Sequence, residues 1–150
     1  AMGCWPIAGV TTLDTTETDS IATLQAALDL GVNHLDTAYV YGPEGESETL
    51  IRRALQGRRD RAVIATKGGI HFEGTEMVND GSAATLHAEC EQSLTRLGTD
   101  HVELYYLHSP DPAVPIEESA AAIAELVAAG KARGRHSGDV FQRPTSCAPQ

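Results

Sequence analysis

Apolar runs in this chain alternate between two periods, and that alternation limits the folds open to it. Ile21, Leu24 and Leu28 repeat at helical spacing, with a cap candidate at Asp19 and a glycine stop at Gly31. Residues 32–36 form a short apolar strand, and residues 37–45 are a polar turn. Residues 49–55 read as helical, with Glu46 and Glu48 at the opening and Arg52, Arg53 and Gly57 at the close, the order a helix dipole favours. Residues 62–67 are too short for a helix and suit a buried parallel strand. A long loop is expected over residues 68–81. Ser82 then caps a helix carried by Ala83, Leu86, Cys90, Leu94 and Leu97, with Gly98 past its end. Residues 102–108 predict another strand, and Pro115 the first turn of a helix that ends near Ala129 before Gly130. With residues 3–8 as the first strand, the order is strand–helix repeated four times in steps of roughly thirty residues. Such repetition, about four βα units, predicts an α/β fold with a parallel sheet and right-handed crossovers.

Composition narrows the function. Eleven Lys and Arg stand against 21 Asp and Glu, a formal charge of −10, which speaks against nonspecific nucleic-acid binding. The clustered Arg52, Arg53, Arg58, Arg59 and Arg61 sit at a helix end and its loop and read as a solvated face. Cys4, Cys90 and Cys147 are odd in number and lack metal-binding spacing, so neither a disulfide framework nor a thiolate metal site is expected. No run is long and apolar enough to span a bilayer, and the first residues lack the charged start of a signal peptide. A cytoplasmic protein without membrane or nucleic-acid partners is the expectation.

Reactive side chains gather where strands end. Asp36 ends the second predicted strand and Tyr41 follows it; Lys67 ends the third and His108 the fourth. In a parallel α/β barrel these ends share one face, which is where active sites form. A phenol, with an ordinary pKa near ~10, needs a cation beside it to give up its proton at neutral pH. Lys67 is the candidate cation, Asp36 its holder, and His108 a donor to a substrate oxygen. Each residue also has a structural reading: a turn former, a packed ring, an ion pair, a satisfied buried histidine. His34 and Asp36, two apart on one strand, could with His108 form a metal site in a barrel hydrolase, but that reading leaves Tyr41 and Lys67 idle. Over residues 68–81, His71, Phe72 and Glu73 are the expected substrate-side contacts, His71 foremost.

The same residues resemble the aldo-keto reductase family. Gly31-Val-Asn-His-Leu-Asp-Thr-Ala-Tyr-Val-Tyr-Gly42 is similar to its signature around a catalytic Asp and Tyr. Gly45-Glu-Ser-Glu48, Ala65-Thr-Lys67-Gly68, Leu107-His-Ser-Pro-Asp-Pro112 and Pro115-Ile-Glu-Glu118 resemble the segments that follow, and Gly3-Cys-Trp-Pro6 the first barrel strand. The resemblance implies a (β/α)₈ TIM barrel that uses NADPH or NADH to reduce carbonyls or oxidise alcohols. On it, Tyr41 is the general acid/base, Lys67 favours its phenolate, Asp36 bridges to Lys67 and lies near the nicotinamide ribose, and His108 orients the carbonyl. Trp5 flanks substrate or cofactor.

A complete barrel takes ~250 residues. The expectation is therefore an N-terminal half barrel over residues 1–134 and an irregular, disordered tail over 135–150, where a further strand is due and the composition reads like a shifted frame starting near residues 133–135. The family's later cofactor-binding segments and its N-terminal hairpin find no counterpart in this sequence. Three further expectations follow: negligible turnover by this chain alone, self-association through open sheet edges, and, as the rival to an enzyme, a non-catalytic remnant or binding subunit.

Overall fold

The computed structural model describes residues 1–9 and 15–134. Four strands, β1 (Met2–Gly3), β2 (His34–Asp36), β3 (Val63–Gly68) and β6 (Leu104–Leu107), form one parallel sheet in the order β1-β2-β3-β6. Between and after them run α1 (Glu17–Asp29), α2 (Glu46–Ala54), α3 (Ala83–Leu97) and α4 (Ile116–Ala128). This is the expected βα repetition, a partial barrel with its strands in chain order.

The strands alternate sides, as their pleat requires. Leu35, Ile64, Thr66 and Tyr105 point to the helices and are buried there. Leu24 and Leu28 of α1, Ile51 of α2, Leu86, Cys90 and Leu94 of α3, and Ala122 and Leu126 of α4 close the core above them. The other side of the sheet carries His34, Asp36, Lys67, Leu104 and Tyr106, all partly exposed.

Several local expectations need correction. Residues 3–8 are not one strand: β1 stops at Gly3 and a 3₁₀ turn follows over Pro6–Ala8, because proline has no N–H for the ladder. The cap of α1 is Thr16 rather than Asp19; the Thr16 hydroxyl accepts from the Asp19 N–H at 3.2 Å, and Asp19 sits inside the first turn. Pro115 is the N-cap of α4, one residue before the helix. The loop over 68–81 is largely a hairpin, β4 (Ile70–Glu73) against β5 (Glu76–Asn79), antiparallel with Phe72 opposite Met77. Gly74, at φ +65°, makes its two-residue turn possible. Ser82 does cap α3, accepting from the Thr85 N–H at 3.3 Å, and Gly98 ends it in the left-handed conformation.

Beside the foot of β6, Val102 makes a parallel bridge to Ala132, so the chain after α4 returns to the sheet edge. The tail expected over 135–150, with His136 and Cys147, lies outside the described residues. Among the described residues no helix is long and apolar enough to cross a membrane.

Candidate active site

Asp36, Tyr41, Lys67 and His108 come together at the C-terminal ends of the strands. Backbone bonds fix the ends in step: the Cys4 N–H donates to the Asp36 carbonyl at 2.8 Å, Thr37 to Ala65 at 2.8 Å, Tyr39 to Lys67 at 2.9 Å and His108 to Gly68 at 2.8 Å. Neighbouring strands thus hand their last side chains to one place. The Lys67 ammonium pairs with the Asp36 carboxylate, donates to the Thr37 carbonyl at 2.8 Å and reaches the Tyr41 hydroxyl at 3.4 Å. It also stands 5.0 Å from the centre of the Tyr41 ring.

Trp5 and His108 flank Tyr41 edge to face, their ring centres 4.9 and 5.8 Å from its own. Burial, reinforced by the Lys67 charge and opposed by Asp36, holds the His108 imidazole below the usual histidine range, so the ring is neutral at pH 7. Its Nδ1 is buried without a hydrogen-bond partner among the described residues. Cys4 lies beneath the cluster; burial, and then the Asp36 charge, push its thiol up to about 12, so it is an inert core group.

Tyr41 owes its position to the turn after β2. Its N–H donates to the Ala38 carbonyl at 3.0 Å, its carbonyl accepts from Ser47 at 3.2 Å, and Gly42 follows at φ +95°. Ser47 and Glu48, in the first turn of α2, support the strand ends from the helix side. The Ser47 hydroxyl donates to the Cys4 carbonyl at 3.0 Å and lies 2.8 Å from the Thr37 hydroxyl. Glu48 is fully buried, accepts from the Thr66 hydroxyl at 2.7 Å and faces Arg96 at 3.5 Å. Burial raises its carboxyl pKa, while Thr66, Ser93 and Arg96 act in the opposite direction. Sequence reading had the Gly45-Glu-Ser-Glu48 motif without this supporting role. The signal available was a Ser-Glu pair at a helix start, aimed at residues next to Asp36 and Lys67.

His71, expected on the substrate side, stands on β4 with its Nδ1 3.0 Å from the Glu89 carboxylate of α3 and its Nε2 3.9 Å from Glu73. These are its partners, rather than the four-residue cluster. The barrel-hydrolase alternative finds no convergence of His34, Asp36 and His108: among the described residues no three His, Cys, Asp or Glu side chains group as a metal site. Of the arginine cluster, Arg53 pairs with Glu17, Arg58 and Arg61 with Asp29, and Arg59 with Glu103.

The sequence model of the aldo/keto reductase family matches residues 1–135. An aldo-keto reductase of Bacillus subtilis, YhdN, is 42% identical over 134 residues, which are 88% of this chain and 40% of that protein. The L-glyceraldehyde 3-phosphate reductase of Escherichia coli is 39% identical over 116 residues, 74% of this chain and 34% of that one. Among solved structures, the holo form of an aldo-keto reductase from Bacillus halodurans superposes with a TM-score of 0.79 at 36% identity, over 89% of this chain and 43% of that one. A Klebsiella pneumoniae aldo/keto reductase in complex with NADP and acetate gives 0.71 at 32% identity, over 89% and 42%. The chain therefore spans about two-fifths of the length of these relatives.

Proposed function

This chain belongs to the aldo/keto reductase family, and we propose that its site carries the proton-transfer half of a nicotinamide-dependent carbonyl reduction, reversible as alcohol oxidation. The observation that carries the reading is the Tyr41 hydroxyl within 3.4 Å of a lysine that is itself held by Asp36. A bound NADPH or NADH supplies the hydride. Tyr41 gives its proton to the carbonyl oxygen, and the Lys67 ammonium stabilises the phenolate left behind. Asp36 keeps Lys67 aimed at Tyr41. His108, neutral at pH 7, donates a hydrogen bond to the same carbonyl oxygen and orients it. In the reverse direction the phenolate takes the alcohol proton.

The residues present fit part of a cofactor site. The partnerless Nδ1 leaves the His108 imidazole with unused hydrogen-bonding capacity, and Trp5, Tyr41 and His108 form a wall of rings suited to a flat nicotinamide or a small carbonyl substrate. Asp36, 42% exposed, is the candidate contact for the ribose, and Trp5 for the ring. His71, on the β4–β5 hairpin, remains a candidate substrate contact. The free buried thiols of Cys4 and Cys90 agree with a cytoplasmic setting.

Residues 1–150 span about two-fifths of the relatives they match, and by themselves they are expected to oxidise NADPH negligibly with small aldehydes. A chimera that joins residues 1–134 to the remaining portion of the Bacillus subtilis relative tests the assignment. It should reduce small aldehydes, and Tyr41→Phe should lower its kcat by about 10²–10⁴. A folded chimera whose turnover is indifferent to Tyr41→Phe refutes the role of Tyr41. The rival reading, a binding subunit without turnover, predicts a chimera that binds NADPH, seen by cofactor fluorescence, and never consumes it.

A further inference from the structure

We propose that Glu89 is a positioning residue for this site: from α3 its carboxylate fixes the turn that follows Lys67 and ties the β4–β5 hairpin to that turn. The inference rests on the reading of Lys67 as the partner of Tyr41.

Glu89 is buried, only 4% exposed, and the proton-transfer scheme makes no use of it. Both of its oxygens are engaged. Oε2 accepts from the Gly69 N–H at 2.6 Å, and Oε1 lies 3.0 Å from Nδ1 of His71. These partners stand two and four residues after Lys67, on the stretch that carries β3 into the hairpin. Gly69 takes φ +90°, and its carbonyl accepts from Asp80 at 3.1 Å, which closes the base of the hairpin. A side chain on Gly68 would strike the Tyr105 hydroxyl and come within 2.9 Å of Glu89. The backbone therefore passes directly over the carboxylate immediately after Lys67.

Burying a carboxylate is costly unless its oxygens are satisfied. Burial raises the Glu89 carboxyl pKa, with Gly69 and His71 pulling the other way. An apolar side chain would fill the same space without that cost, but it would leave the Gly69 N–H unpaired and the turn unanchored. On the preceding residue, Thr66 is held by Glu48 of α2. Lys67 thus stands between two buried carboxylates from different helices, Glu48 on the Thr66 hydroxyl before it and Glu89 on the Gly69 N–H after it.

The chain contains two lysines, Lys67 and Lys131, so amine acetylation read by peptide mass spectrometry reports on Lys67 with Lys131 as internal reference. In the 150-residue chain carrying Glu89→Leu, Lys67 should acetylate about fivefold faster relative to Lys131, the ratio set by loss of one typical hydrogen bond. The His108 ring-proton titration should move up toward the ordinary histidine range, because the Lys67 charge is one of the influences that hold it down. A purely architectural tie would raise both lysine rates together and leave the His108 midpoint in place; that result in a folded variant overturns the proposal. If Glu89→Leu does not fold, Glu89→Asp keeps the charge but cannot reach Gly69 and His71 together, and an unchanged Lys67 to Lys131 ratio there overturns it equally. No cofactor or substrate enters the measurement, so its failure leaves the reductase reading standing, and an inactive chimera leaves its success standing.

Discussion

The two faces of the parallel sheet are built from the same strands and behave as different materials. On the helix side, Leu35, Ile64, Thr66 and Tyr105 are buried, and the polar atoms among them are matched: Thr66 to Glu48, Tyr105 to the Leu86 carbonyl at 3.1 Å. On the opposite side, Asp36, Lys67 and Tyr106 are partly exposed, and both His34 and His108 keep a buried ring nitrogen without a partner among the described residues. One face is given to cohesion, and the other carries the reactive side chains. The pleat makes this division, since neighbouring residues such as Thr66 and Lys67 must point apart. Reactive groups can then sit in a half-solvated environment while the backbone beneath them is fixed by the buried layer.

The largest expected effect breaks the comparison from the cohesive side. Ile64→Ala removes a fully buried side chain and should cost about 2–5 kcal/mol in urea denaturation. Lys67→Met, three residues along on the open face, should leave the urea midpoint nearly unchanged while it abolishes turnover in the chimera described above. Equal destabilisation by the two would show that the open face also holds the fold together.

Glu48→Leu comes next. It strands the Thr66 hydroxyl in the core and leaves Arg96 without its carboxylate, at a cost of about 1–3 kcal/mol. The same measurement decides it; a neutral or stabilising result would mean that Glu48 serves the site alone.

A smaller effect comes from His108. Its folded-state pKa lies below the ordinary histidine value of about 6.5, so the unfolded chain binds the proton first as pH falls. Its contribution to stability is complete above that value and is lost as pH drops from there toward the folded-state midpoint. His108→Gln should flatten the fall of the urea midpoint across that interval. An identical pH slope in wild type and variant rules the effect out.

Weakest is association through the edges. Beyond the single bridge from Val102 to Ala132, β1 and β6 show no further strand pairing among the described residues on their outer sides. Such edges recruit other strands. Light scattering at rising concentration should show mass growth in the 150-residue chain, which a constant monomer mass contradicts.

Much of this was legible in the sequence, for local reasons. The helix ending at Gly98 could be read from Ser82, the apolar spacing and the glycine, because capping and periodicity act within a few residues. The gathering of Asp36, Tyr41, Lys67 and His108 followed from the rule that parallel strand ends share a face. The hairpin over β4 and β5 was missed, although Gly74 lies between short alternating stretches, because two four-residue strands give too little periodicity to stand out. The cap of α1 falls on Thr16, three residues before the expected Asp19, because residue type alone suits both positions and only the extended backbone at Thr16 decides between them.

The sequence by itself determined the four helices, the order and parallel arrangement of the strands between them, and the identity of the groups that meet at the strand ends. Hydrophobic period and chain connectivity suffice for that. The tertiary structure alone decided what lies beneath those groups. Thr66 and Glu48 are 18 residues apart in the chain, Gly69 and Glu89 are 20, and Ser47 and Cys4 are 43. No local pattern announces that a buried carboxylate on a helix will end against the backbone beside a lysine. That pairing exists only once helix and sheet have packed, when water is excluded and every polar atom left inside must find its partner within the fold.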